Sequence, residues 1–336
     1  MLSFRLGASD GVSIESAKWV TALHQLGHDV RTIAGSGSAD VIIEGLALDA
    51  SSPPDLEQLA NAIGRSDLVI VENLVSLPLN VRARDVVYQV LHGRRAILHH
   101  HDLAWQRAHL AHLEGPRDEP LWRHVTINEL SRRELSERGI EAVTIMNSFD
   151  CDPPRGDRER TRQFLSTDEE RLVLLPTRAI ERKNLHGALS LCESLDASLW
   201  ILGPAEDGYE AELDRLLQAT RVTTYRGLGP QLSVHDAYAA ADLVVMPSTW
   251  EGFGNPVLES VTHQRPLALN PYPVAREIVS FGFKFFGLEE RDAINEFLEH
   301  PDDALFVHNL AIARKNFNVK DLPERLAVVL ESVQIH

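Results

Sequence analysis

Short apolar runs alternate with amphipathic stretches from one end of the chain to the other. Residues 2–6, 67–71, 96–98, 171–175, 199–202, 242–246 and 266–269 are mostly apolar and short, as parallel strands covered on both faces are. Between the first two runs, Ser13 is a good N-cap, Glu15 suits a first turn, and Trp19, Leu23 and Leu26 recur at helical spacing until Gly27 and His28 end the helix. Helices are also expected over 185–195, 235–241, 302–317 and 323–333, the last with a stripe at Leu326, Leu330 and Val333, and Glu277 is expected to begin or cap another. Strand, helix and strand in repetition predict an α/β fold of doubly wound parallel sheets. The stretch Asp-Pro-Pro-Arg-Gly-Asp at 152–157 breaks the pattern, so 151–168 reads as a linker between one domain at 1–150 and another at 169–318. A last helical segment fills 319–336.

Composition narrows the class. A chain of 336 residues, 44% apolar and 24% charged, has room for two domains with cores of their own. Its net charge of −16 argues against broad binding to nucleic acid or anionic lipid. Cys151 and Cys192 form no disulfide framework and read as small buried hydrophobes in a reducing compartment. The first residues are too short and polar for a secretory signal, and no run is long enough to span a bilayer, so a cytoplasmic enzyme is expected.

One stretch, 247–260, carries the strongest chemical signal: Pro-Ser-Thr-Trp-Glu-Gly-Phe-Gly-Asn-Pro-Val-Leu-Glu-Ser. Gly252 and Gly254 lack a Cβ, so their backbone can lie flush against a ligand, while Asn255 fits an N-cap and Pro256 the first helical position. The amides of such a loop, with a helix dipole behind them, suit a phosphate or a sugar hydroxyl. Glu251 before the glycines and Glu259 inside the helix can each hold a different hydroxyl of one ligand. A second basic loop follows the strand at 171–175, where Arg178 and Lys183 can converge on one dianion.

With seven residues between Glu251 and Glu259, this stretch resembles the signature of the family 4 retaining glycosyltransferases, and Arg178 to Asn184 is similar to their Arg-x-x-x-x-Lys-Asn. The resemblance runs in order through nearly the whole chain. It implies the GT-B architecture: two Rossmann-like domains facing across a cleft, the N-terminal one binding the acceptor and the C-terminal one the nucleotide sugar. It further implies that Arg178 and Lys183 hold the diphosphate, that Glu251 with Gly252, Phe253, Gly254 and Asn255 positions the sugar, and that Glu259 holds the ribose. The backbone of Arg226, Gly227 and Leu228 matches the place of the base, and Gly11, beside Asp10 in the first strand–helix loop, matches a place under the diphosphate. Asp10 and Gly11 each also read as part of a plain turn that needs glycine for geometry alone.

Strand-end polar residues supply the acceptor-side candidates, Glu72, Asn73, Asp102, Trp105 and Asn147. The run His99-His100-His101 ends another strand. Neighbouring strand side chains point to opposite faces, and no zinc-site spacing is evident, so no metal is expected. The family has a histidine here, matched by His100 or His101, that would hydrogen-bond a sugar hydroxyl.

Two departures concern donor geometry. Val261-Thr-His-Gln-Arg stands where the family usually has Ala-x-x-x-Gly, and Pro271-Tyr-Pro-Val-Ala where it has a double glycine. The activity implied is transfer from a UDP- or GDP-sugar to a hydroxyl of a small-molecule or glycan acceptor, with no cofactor. A nucleotide-sugar epimerase and a lapsed nucleotide-sugar-binding module are the alternatives.

Overall fold

The computed structural model describes residues 1–8, 10–167 and 171–334. The chain divides into two compact units, Met1–Ser148 with the segment from Val319 on, and Phe149–Asn318. The expected boundary at 168 and 169 and the last two residues of the expected terminal helix lie outside the described residues.

Among the described residues the first unit carries β1 (Leu2–Leu6), α1 (Gly11–Gln25), β2 (Ile33–Gly37), β3 (Val41–Ile42), α2 (Leu56–Ile63), β4 (Val69–Glu72), α3 (Val81–Leu91), β5 (Ala96–His100), β6 (Trp122–Thr126), α4 (Glu129–Ser136) and β7 (Ala142–Thr144). Its strands form one parallel sheet in the order β3-β2-β1-β4-β5-β6-β7. Strand side chains alternate between its faces: Ile70, Ile97 and Val125 pack with Trp19 and Leu23, whereas Val69, Val71 and Leu98 pack with Leu59, Val87 and Leu91. Burial on both faces is why these strands read as unbroken apolar runs. Helix α1 begins earlier than Ser13 suggests, because Asp10 is the N-cap and accepts from the Ser13 amide at 3.1 Å and its hydroxyl at 2.9 Å.

The second unit carries α5 (Arg158–Leu165), β8 (Arg171–Leu175), α6 (Leu185–Leu195), β9 (Ala197–Ile201), α7 (Glu210–Ala219), β10 (Thr224–Arg226), α8 (Val234–Ala240), β11 (Leu243–Met246), α9 (Asn255–Thr262), β12 (Leu267–Leu269), α10 (Pro273–Ser280), β13 (Phe286–Gly287), α11 (Arg291–Glu299) and α12 (Asp303–Asn316). Its parallel sheet runs β10-β9-β8-β11-β12-β13. The chain then re-enters the first unit as α13 (Leu322–Gln334), whose Leu322, Leu326, Leu330 and Val333 pack with Trp19 and Leu23.

Two local expectations change. The stretch read as linker contains α5, capped by Asp157 and tied to the second unit through Arg158 and Arg162, each 2.5 Å from Asp242. Glu277 lies inside α10, which starts at Pro273, where a proline forfeits no helical hydrogen bond. Cys151 and Cys192 are free and buried, and burial pushes the Cys192 thiol up to about 12. Among the described residues, no helix is long and apolar enough to cross a membrane.

The architecture is thus two doubly wound α/β units. In each sheet the strand order reverses once, at β1/β4 and at β8/β11. Loops leaving the carboxyl ends of strands at such a reversal form the ligand crevice of open α/β sheets.

Candidate active site

At the β8/β11 reversal, two loops interlock. The Arg182 carbonyl accepts the Thr249 amide at 2.8 Å, and Asn184, left-handed at φ 51, donates from Nδ2 to the Pro247 carbonyl at 3.2 Å. Glu251 is drawn beneath this junction and is buried, with 7% of its side chain exposed. Its Oε2 accepts from Arg182 Nη1 at 2.5 Å, and its Oε1 pairs with Lys183 Nζ, itself 8% exposed. Burial opposes ionisation of Glu251, but Lys183 and Arg182 outweigh it and hold the carboxyl below its usual value. Burial likewise pulls Lys183 below the usual lysine value, with Arg182 and Arg178 adding to it and Glu251 opposing. Arg178 stands at the rim, 2.5 Å from Glu206, with both side chains over a third exposed. On the same two loops, Thr177 Oγ1 and Trp250 Nε1 are buried without a hydrogen-bond partner among the described residues.

The glycine turn behaves differently from its reading in one respect. Gly254, not Asn255, is the N-cap of α9, at φ 92, and Pro256 falls just inside the helix. Tyr272 explains the need for glycine: its hydroxyl donates to the Phe253 carbonyl at 3.0 Å, and a Cβ at 254 would lie 1.9 Å from that oxygen. Tyr272 belongs to the stretch that replaces the expected double glycine, so a side chain supports the turn from that side. Gly252 and Asn255 are half-buried, and Phe253 is buried against Phe149 at 6.0 Å. Along α9 and at its C-cap, Glu259 accepts from Tyr238 Oη at 2.8 Å, His263 stacks on Tyr238 at 4.4 Å, and His263 Nε2 meets His235 Nδ1 at 2.9 Å.

Arg226, Gly227 and Leu228 lie at the end of β10 and are exposed. The Gly227 amide donates to the Ile201 carbonyl at 2.8 Å and its carbonyl accepts from Trp200 Nε1 at 2.9 Å, so its backbone polar groups are engaged within the fold. Gly11 is exposed at the start of α1, beside the Asp10 cap.

In the first unit, the histidine run separates by face. His100 turns to the α2 and α3 side, where its Nε2 lies 2.9 Å from His124 Nδ1. His99 in β5 and His101 just past its end share the other side, and His99 Nδ1 and His101 Nε2 each approach Glu72 Oε2 to 2.9 Å. His99 stacks under Trp19 at 4.0 Å. Glu72 is therefore interior, and its reach toward a ligand passes through His101. These three residues bring potential ligand atoms within 4.8 Å of one another. Their mutual hydrogen bonds account for that closeness. Asn73, left-handed at φ 58, also faces inward: its Oδ1 accepts from the amides of His101 and Asp102, each at 3.0 Å. Asp102 pairs with Arg107 at 3.1 Å. Trp105 leans on α4, donating to Glu134 at 2.8 Å beneath Arg138. Asn147 is buried beside Ser148, whose carbonyl pairs with Lys18.

The Glu72 cluster gives the first prediction. Burial would raise the Glu72 pKa, but His99 and His101 outweigh it and bring it down to about 2 from 4.5. A lowered folded value means stability present above pH 4.5 and lost as pH falls from 4.5 toward 2. The amount is on the order of 3 kcal/mol. Urea midpoints measured against pH should show Glu72→Gln well below wild type at pH 7 and converging with it below pH 3. A gap that stays constant across that range would remove the linkage.

Residues 157–305 match the model of the family described as Glycosyl transferases group 1. The mannosylglucosylglycerate synthase of Thermotoga maritima is 25% identical over 363 residues, covering 87% of this chain and 84% of its own. The stretch 157–305 thus carries the group 1 glycosyltransferase match, and the relative that spans most of the chain is a curated glycosyltransferase. Two solved structures share its fold. HepE of Anabaena in complex with UDP and glucose has a TM-score of 0.74 at 16% identity, covering 99% of this chain and 100% of that one. The sucrose-phosphate synthase of Thermosynechococcus elongatus has a TM-score of 0.76 at 14% identity, covering 99% and 98%. The transferase expectation, rather than the epimerase one, is what these matches carry.

The matched stretch contains both interlocked loops. Sequence reasoning missed Arg182, although it sits in the basic loop beside Lys183. It also missed Tyr238 and Tyr272, which reach the glycine-turn region from other elements and leave no mark in the motif itself.

Proposed function

We propose that this glycosyltransferase moves a sugar from a nucleoside-diphosphate sugar to a hydroxyl of a small acceptor, with retention at the anomeric carbon. The observation behind this reading is the buried Glu251 held by Lys183 and Arg182 under a glycine turn, with Arg178 at the rim of the same strand-order reversal. A departing diphosphate gathers negative charge, and preorganised cations there stabilise the transition state. An exposed pair like Arg178 with Glu206 is worth about 0–1 kcal/mol, so Arg178 exchanges it for a diphosphate at little cost. Glu251 and the turn amides position the sugar, and Tyr238 orients Glu259 toward the ribose. The acceptor oxygen bonds to the anomeric carbon on the face from which the sugar–phosphate bond breaks. That bond's electron pair leaves with the nucleoside diphosphate, and the acceptor proton passes to a phosphate oxygen. His101, its Nε2 on Glu72, offers Nδ1 to a sugar hydroxyl. Cationic side chains fill the place a metal would take, and the buried free cysteines fit a cytoplasmic setting.

The relative's name denotes formation of a mannosyl-glucosyl-glycerate. A small soluble glycoside is accordingly the acceptor class we propose, and mannosyl the first sugar to try. A thermal-shift panel of UDP, GDP, ADP and their sugar conjugates tests the donor site, since a ligand bound only by the folded state raises its melting temperature. One nucleotide class should give a clear shift that Arg178→Ala weakens. No shift with any of them at millimolar concentration would sink the reading.

A further inference from the structure

At the opposite end of the second sheet's central strands lies a cavity of ≈ 370 Å³ lined by Arg158, Arg162, Arg171, Asp242 and Arg265. Arg171 opens β8, Asp242 precedes β11 and Arg265 precedes β12, so this cavity sits at the amino ends of strands whose carboxyl ends carry Arg178 and Glu251. Four guanidinium groups around one aspartate are conspicuous in a chain of net charge −16.

The aspartate is already committed. Arg158 and Arg162 each reach it at 2.5 Å, and it accepts the Leu172 amide at 2.8 Å. Arg158 further binds the Ala240 carbonyl at 2.8 Å, which fixes the end of α8. Arg171 is turned to Asn295 at 2.7 Å and Glu299 at 3.3 Å. Arg265 has a single 3.4 Å bond to the Ala241 carbonyl among the described residues, and its Nε is buried without a partner. Burial, then the nearby Arg158, with Arg162 adding and Asp242 opposing, pull its guanidinium below the usual arginine value. A largely buried cation without a full counter-charge among the described residues is costly, and an anion in the cavity would relieve that cost.

We propose that this cavity is an anion site, separate from the donor site, that takes a small phosphomonoester on Arg265 and Arg171. The planar fork of arginine matches a phosphate. Phe297 and Phe306 form an apolar wall on the same cavity, which fits a phosphomonoester with a compact apolar body.

Scanning fluorimetry of the full chain with phenyl phosphate, against sodium chloride at matched ionic strength, tests this. Phenyl phosphate should raise the melting temperature of wild type and of Arg178→Ala alike. Arg265→Gln should weaken that response roughly tenfold, the loss of one charge-assisted contact. In sodium chloride alone Arg265→Gln should melt no lower than wild type, because it removes a cation with no full counter-charge among the described residues. Arg171→Gln gives a second arm and should also weaken the response. The proposal is overturned by no shift in wild type, or by a shift lost in Arg178→Ala and kept in Arg265→Gln, which would place phenyl phosphate at the donor loops.

Discussion

Lys183→Ala is expected to lower turnover by about 10² to 10³-fold, the usual effect of removing one preorganised electrostatic group from a transition state. The same change uncovers a buried carboxylate. Glu251 keeps Arg182 at 2.5 Å but loses its other cation in an interior where neither partner of the original pair is more than 8% exposed. Breaking a buried pair from one side typically costs about 3–5 kcal/mol, and the surviving Arg182 contact places the expected loss at the lower end. The pH dependence has a definite sign. Burial works against Glu251 ionisation while Lys183 and Arg182 lower its pKa, so the pair's contribution is present above the unfolded value of 4.5 and fades as pH falls through the lower folded value. Initial rates of nucleoside diphosphate release, with urea midpoints on the same samples, separate the two effects. Glu251→Gln in the Lys183→Ala background should recover stability without recovering rate. Full turnover in Lys183→Ala would remove Lys183 from the chemistry.

What could be read before folding follows from where the physical cause lies. Strands β8 and β11 were readable because burial on both faces leaves an unbroken apolar run. The edge strands β3 and β13, two residues each, carry too little pattern to be seen. Helix α5 escaped because its inward side is built from Thr161 and Arg162 rather than an apolar stripe, and ion pairing to Asp242 takes the place of apolar packing. The glycine turn was readable because glycine and proline act through their own backbone. The partners of that turn were not, since Lys183 and Arg182 come to Glu251 from nearly seventy residues earlier in the chain. The histidine run shows the same boundary. Alternation correctly separates His100 from its neighbours, and its corollary puts His99 and His101 on one face, but Glu72, which joins them, arrives from the adjacent strand.

Gly254→Ala should be the most damaging single methyl in the second unit. Position 254 has φ 92, where an L side chain costs about 1–2 kcal/mol. The new Cβ would also stand 1.9 Å from Tyr272 Oη and 3.2 Å from Cζ, an overlap that must displace a fully buried ring or the turn itself. Overpacking of this kind adds about 1–3 kcal/mol. Together these predict a fall in melting temperature of several degrees and loss of nucleotide-induced stabilisation, since the turn amides would no longer hold their positions. The two causes can be separated. Tyr272→Phe deletes the oxygen at 1.9 Å and the hydrogen bond to the Phe253 carbonyl, leaving the backbone angle untouched. By itself it should cost about 1 kcal/mol. Combined with Gly254→Ala it should recover the steric part and leave the conformational part, so the double variant should melt above Gly254→Ala and below Tyr272→Phe. Strict additivity of the two losses would mean that the Tyr272 hydroxyl is not what excludes a side chain at 254, and that the backbone angle alone requires the glycine.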